Sequence, residues 1–239
     1  MRRAFLIIPL LIAGCQSFSI PDSFTPIQIH TASYTFASWQ KDSGSSSPVR
    51  IYIEGDGHAF YHNGRPTGDP TPKGVFFRKI AFGDINPNVV YLARPCQYIM
   101  SPGCTQKDWT TGRFSEAIVR ATEDAIRQIA KGREVVLIGY SGGALLSGLV
   151  IERTDVPVKK WITIAGLLDH ESWTRQSKLV PLTGSLNLKS LPSVSQTHYI
   201  GSDDRVISPN LYGNKANVVI VPEAGHDFGF DSIVPLIYR

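Results

Sequence analysis

The chain has 239 residues, 42% of them apolar and 18% charged, with 21 Gly and 16 Pro, which is the balance of an ordinary globular domain. That composition excludes a disordered chain, a collagen-like repeat and a coiled coil. The net charge of +4, with no basic cluster longer than the pairs Arg2-Arg3 and Lys159-Lys160, excludes a nucleic-acid footprint, while three cysteines, an odd number, call for an accounting.

The first residues supply part of that accounting. A basic start, Met1-Arg2-Arg3, leads into an apolar run over residues 4–13 broken once by Pro9, and then come Gly14 and Cys15. The run is too short to span a bilayer but matches the hydrophobic region of a signal peptide. Its end, Leu11-Ile12-Ala13-Gly14-Cys15, resembles a bacterial lipobox. The resemblance implies that residues 1–14 are a signal peptide, that Cys15 carries a diacylglycerol and becomes the first residue of the mature chain, and that the membrane is a partner through this anchor. Gln16, in place of Asp, implies sorting of an exported lipoprotein to the outer membrane of the cell envelope. Residues 15–32 are polar without periodicity and are expected to form a lipidated tether, which leaves 33–239 as the folded domain. Residues 41–48, rich in Ser with Gly44 and Pro48, read as a loop.

Short apolar, β-branched runs then recur at 49–53, 89–93, 135–138, 161–165, 197–200 and 218–221. Their near-continuous hydrophobicity predicts strands buried on both faces, and therefore a mostly parallel sheet. Between the second and third runs, Phe114, Ile118, Ala121, Ala125 and Ile129 form one helical stripe, with Gly132 as its C-cap. A second helix is expected over 142–153, a short one over 170–176 and a terminal one over 231–238 capped by Asp231. Strands alternating with helices predict an α/β fold with helices on both faces of a central sheet. Cys96 and Cys104 close a short segment rich in Pro and Gly; in an exported protein they are expected to pair as a disulfide. No Cys/His cluster with metal-ligand spacing accompanies them, so no metal and no organic cofactor is expected.

The third strand runs into Gly139-Tyr140-Ser141-Gly142-Gly143 and then an apolar helix. This reads as a nucleophile elbow, a strand-to-helix turn that presents a serine at the carboxyl end of the sheet. A serine needs a base to take its proton and an acid to orient that base. Of the histidines after Ser141, His198 lies within a predicted strand and His170 could line a pocket, whereas His226 follows the last strand in a turn, where the base belongs. At the preceding strand end, Gly201-Ser202-Asp203-Asp204-Arg205-Val206-Ile207-Ser208-Pro209 resembles the acid loop of the α/β-hydrolase superfamily. Matching Gly201, Val206 and Pro209 to that pattern implies Asp204 as the acid, with Asp203 as its neighbour and Asp227 and Asp231 as weaker candidates. Oxyanion donors are expected from the Gly142 N–H and the Asp56 N–H, with Gly57 as the alternative, in Glu54-Gly55-Asp56-Gly57-His58; Glu54 stands where the superfamily usually has a histidine. Read as a calcium loop, the same residues lack the remaining EF-hand ligands.

The chain further resembles small bacterial α/β-hydrolase lipoproteins in this loop, in the 64–72 segment and in Arg94-Pro95-Cys96-Gln97-Tyr98 with Trp109-Thr110. That likeness implies a serine hydrolase on an α/β-hydrolase fold. Residues 166–194 leave room for a small lid or none. His58, Phe60, Trp109, Tyr140 and Phe228 are expected as pocket walls. The expected substrate is a carboxylic ester with a small or short acyl group. A thioesterase, peptidase or acyltransferase would use the same residues, and a binding lipoprotein on a hydrolase fold is the reading outside enzymology.

Overall fold

The computed structural model describes residues 18–213 and 217–239; the expected signal peptide and Cys15 lie outside the described residues. Among the described residues, eight strands form one sheet in the order β1-β2-β4-β3-β5-β6-β7-β8. They span Thr25–His30 (β1), Thr35–Asp42 (β2), Val49–Ile53 (β3), Asn88–Leu92 (β4), Val135–Tyr140 (β5), Val158–Ile164 (β6), Gln196–Gly201 (β7) and Val218–Val221 (β8). From β4 to β8 every pairing is parallel, whereas β1 and β2 add to the β4 edge antiparallel. Every residue of β3 and β4 is buried, which is why these strands read as near-continuous apolar runs, with Arg50 and Asn88 the exceptions.

Helices cover both faces. On one side, α2 (Glu116–Ala130) and α3 (Gly142–Ile151) pack Ile118, Ile126, Leu145 and Leu149 against Ile51, Leu92 and Leu137. On the other, α1 (Phe76–Gly83) and α5 (Val234–Ile237) pack Phe77, Ile80 and Ile237 against Tyr52, Tyr91 and Ile138. A short α4 (His170–Gln176) is the sole helix between β6 and β7 among the described residues, so the lid segment is small. At the amino end of the sheet, Arg50 Nε and Tyr52 Oη both donate to Asp84 Oδ2 at 2.6 Å, a buried knot that ties β3 to the end of α1.

Four expectations need correction. Residues 25–30 belong to the sheet and not to a tether: β1 pairs with β2 along its whole length. Only Ile29 of β1 is buried, so this edge strand gives no apolar run to read. Residues 41–42 likewise end β2 and do not begin a loop. The C-cap of α2 is Lys131, in the left-handed region at φ 51°, with Gly132 following at φ 81°. The C-terminal segment is a 3-10 turn (Asp231–Ile233) followed by α5, and Asp231 makes no capping bond. Helix α1 was not legible because its eight residues follow directly on a Pro/Gly-rich loop.

Candidate active site

Ser141 sits between β5 and α3 at φ 49°, ψ −123°, a backbone conformation that costs a non-glycine residue about 1–3 kcal/mol. The surrounding packing holds it there. A Cβ on Gly139 would lie 2.6 Å from the Ala144 Cα, and one on Gly143 would lie 2.3 Å from the Ile53 carbonyl oxygen. These two glycines let α3 turn back against β5 and β3, so the spacing of the motif is a packing requirement.

Three elements bring the predicted acid–base residues together. His226, in the turn after β8, places Nε2 at 3.0 Å from Ser141 Oγ and Nδ1 at 2.9 Å from Asp204 Oδ2. Asp204 is buried, and its Oδ1 accepts the Val206 and Ile207 N–H groups, each at 2.8 Å. The loop after β7 thereby fixes the carboxylate before the imidazole meets it. Asp203 is exposed and accepts the Ser202 hydroxyl, so it does not take this place. His198 is fully buried between Thr163 and Gln196, and His170 stacks on Phe114 at 6.1 Å; neither lines the cavity at Ser141. Among the acids after the histidine, Asp227 lines that cavity and Asp231 does not.

The Gly142 N–H lies in the first turn of α3, where N–H groups have no intrahelical acceptor. Across from it, the Asp56 N–H has no acceptor among the described residues. The loop that carries Asp56 is held by residues distant in sequence. Gln97 Nε2 donates to the Gly55 carbonyl at 2.9 Å, while Arg94 Nη1 and Arg113 Nη1 reach the two Asp56 carboxylate oxygens at 2.9 and 2.5 Å. Burial opposes the charge on Asp56, but the Arg113 and Arg94 guanidiniums outweigh it and hold the carboxyl below the usual range. Glu54, fully enclosed, accepts the Tyr91 hydroxyl at 2.6 Å and the Gly55 N–H at 2.8 Å; burial pushes its carboxyl upward against these bonds. Gly57, at φ 64°, faces the Pro70 carbonyl so closely that a Cβ would lie 2.1 Å from it.

The Arg94–Gln97 turn has its own supports. Arg94 Nη2 donates to the Arg113 carbonyl, and its guanidinium lies 5.1 Å over the Phe114 ring. Gln97 Oε1 accepts the Arg94 N–H at 3.0 Å, and the Cys96–Cys104 disulfide, with Cα atoms 5.8 Å apart, closes the segment behind it. In sequence, Arg94 and Gln97 stand in a recognised motif without an assigned task, and Arg113 stands in none. The signal available was the Arg94-Pro95-Cys96-Gln97 segment itself; Arg113, set between Asp108 and Glu116, gave none.

A cavity of about 430 Å³ opens over Ser141 and His226. His58, Phe60 and Tyr140 line it as expected. Trp109 and Phe228 do not: Trp109 is buried and donates its Nε1–H to the Thr67 carbonyl at 3.1 Å, and Phe228 is an exposed ring resting on Gly225. The lining also includes Phe76 from α1 and Trp173 from α4, whose Nε1–H donates to the Val206 carbonyl at 2.8 Å. Trp173 thus joins the small lid to the loop that holds Asp204.

No model of a known protein family matches the sequence, and no curated relative matches it. Solved structures do. An α/β serine hydrolase without a lid from Xanthomonas campestris superposes with a TM-score of 0.57 over 91% of this chain and 93% of its own, at 12% identity. A serine hydrolase from Cycloclasticus zankles gives 0.62 over 90% and 95% at 11% identity, and an α/β serine hydrolase homologue from Coxiella burnetii gives 0.57 over 93% and 99% at 14% identity. The chain therefore has the α/β-hydrolase fold.

Proposed function

We propose that this protein is a serine hydrolase of carboxylic esters with small or short acyl groups, exported and anchored through a lipid on Cys15 to the outer membrane. The observation that carries the reading is the chain of hydrogen bonds from Ser141 Oγ through His226 to the buried Asp204, built at an elbow in the left-handed region. Ser141 Oγ attacks the acyl carbonyl carbon while its proton passes to His226 Nε2. Asp204, accepting the Nδ1–H, stabilises the imidazolium, and the Asp56 and Gly142 N–H groups receive the oxyanion. The tetrahedral species collapses, the C–O bond to the alcohol breaks, and His226 returns the proton to the leaving oxygen. Water then repeats the sequence on the acyl-enzyme, with His226 again as base, and releases the acid.

A cavity of about 430 Å³ beneath one short lid helix supports small acyl groups over long buried chains. The same residues serve thioester, amide and acyl-transfer chemistry, so a panel of esters, thioesters and amides, run with wild type beside Ser141→Ala, tests the assignment. Short-chain esters are expected to turn over fastest, with all activity lost in the variant. Activity surviving in Ser141→Ala rejects the assignment, and faster thioester or amide turnover replaces the ester reading.

A further inference from the structure

The position of the first described residues relative to the cavity has a consequence for how the enzyme meets its substrate. Phe24 packs on Phe82, in the last turn of α1, and Lys41 lies over its ring at the amino end of the sheet. From there the chain, followed backwards, climbs along α1: Phe18 stacks on Phe82 at 5.9 Å and holds the Arg78 guanidinium 5.5 Å above its ring. Arg78 lies in the first half of α1, and its Nη2 donates to the carbonyl of Gly74, a residue of the cavity lining. Phe18 is therefore linked through one side chain, Arg78, to Gly74 of the cavity lining. Cys15 precedes it by three residues, a reach of at most about 10 Å.

Beside the exposed charges of Lys73 and Asp227, the rim carries large apolar side chains open to solvent. Phe60 and Val206 line the cavity and are 38% and 47% exposed; Tyr61 and Phe228, next to lining residues, are 51% and 56% exposed. They come from three different loops at the carboxyl end of the sheet, after β3, β7 and β8. Large side chains of this kind, gathered around one opening, mark a surface that meets another apolar phase.

We infer that this rim docks on the phospholipid bilayer that holds the lipid anchor, so that the cavity faces the membrane surface and takes esters displayed there. The inference rests on the lipid-anchor reading. It adds an orientation: the short stretch between Cys15 and Phe18 cannot carry the cavity far from the bilayer, and the four side chains give it something to rest on.

Orientation is read with the lipidated protein in phosphatidylethanolamine–phosphatidylglycerol vesicles that carry a shallow nitroxide lipid. A tryptophan is placed at the rim by Phe228→Trp or, separately, Tyr61→Trp, and at the opposite end of the sheet by Leu236→Trp. Leu236 is exposed on α5, next to the Ile237 carbonyl that accepts from Arg50 at the start of β3. The added emission at 228 and at 61 is expected to be quenched several-fold more than that at 236. Equal quenching at the two ends, or stronger quenching at 236, overturns the inference. The mass of the N-terminal peptide reports separately on the anchor: if Cys15 carries no lipid and the protein stays off the vesicles, the anchor reading and this inference fall together. Hydrolysis of p-nitrophenyl acetate by the same samples tests the hydrolase reading by itself, because quenching needs no turnover.

Discussion

The two halves of the candidate site are held in different ways. Ser141, His226 and Asp204 are fixed by the backbone around them: the elbow, the turn after β8, and a loop whose own N–H groups bind the Asp204 carboxylate. The opposite wall, residues 54–57, is fixed by side chains from elsewhere, with Gln97 on the Gly55 carbonyl and Arg94 and Arg113 on the Asp56 carboxylate. Backbone-held chemistry leaves a compact signature in sequence. A wall held by a distant clamp leaves separate motifs with nothing to say that they meet, yet it carries one of the two proposed oxyanion donors, so the clamp is expected to matter to kcat and not only to stability.

Substitutions on the two sides separate these roles. The largest effect is expected in the first half: Ser141→Ala and His226→Ala each lower kcat by about 10⁴–10⁶-fold, with Asp204→Asn near the lower figure, as measured on a short-chain ester. In the second half, Arg94→Ala leaves Asp56 one arginine, and kcat is expected to fall about 100-fold with KM little changed. An unchanged kcat would reduce the clamp to scaffolding. Replacing Cys96 and Cys104 together by serine removes a staple behind the clamp and should cost about 2.5 kcal/mol, read as a lower denaturant midpoint.

The smallest and most specific effect is in acid. Asp56 titrates below the usual range in the folded protein, so its contribution to stability is fully present above the range of an unfolded Asp and is lost only as pH falls through its depressed value. Urea midpoints of wild type and Asp56→Asn should therefore differ at neutral pH and converge in strong acid. Convergence already near neutrality would show that the carboxylate is not held by the two guanidiniums.

The same contrast explains what was legible in the sequence. The central strands β3, β4 and β5 are largely apolar because both faces are covered, and Ser141, Asp204 and His226 follow their strands in an order that a parallel sheet with crossovers brings together. Strand β1 was missed because one buried residue, Ile29, makes no pattern. Asp204 could be preferred to Asp203 through its spacing to Val206 and Pro209, and the bond to His226 falls on Asp204. Trp109 and Phe228 illustrate the reverse: an aromatic near the site in sequence says nothing about which way its ring faces, and one is buried against Thr67 while the other lies outside. Trp173 and Phe76, which do line the cavity, come from helices whose placement depends on the whole fold.

The central claim is that Ser141 is an activated nucleophile. Reaction of the folded protein with a fluorophosphonate, followed by peptide mass mapping, tests it most directly. A single adduct on the peptide containing Ser141, absent from Ser141→Ala and slowed in His226→Ala, is the result predicted. A folded protein that takes no label, or one that is labelled equally after Ser141→Ala, contradicts it.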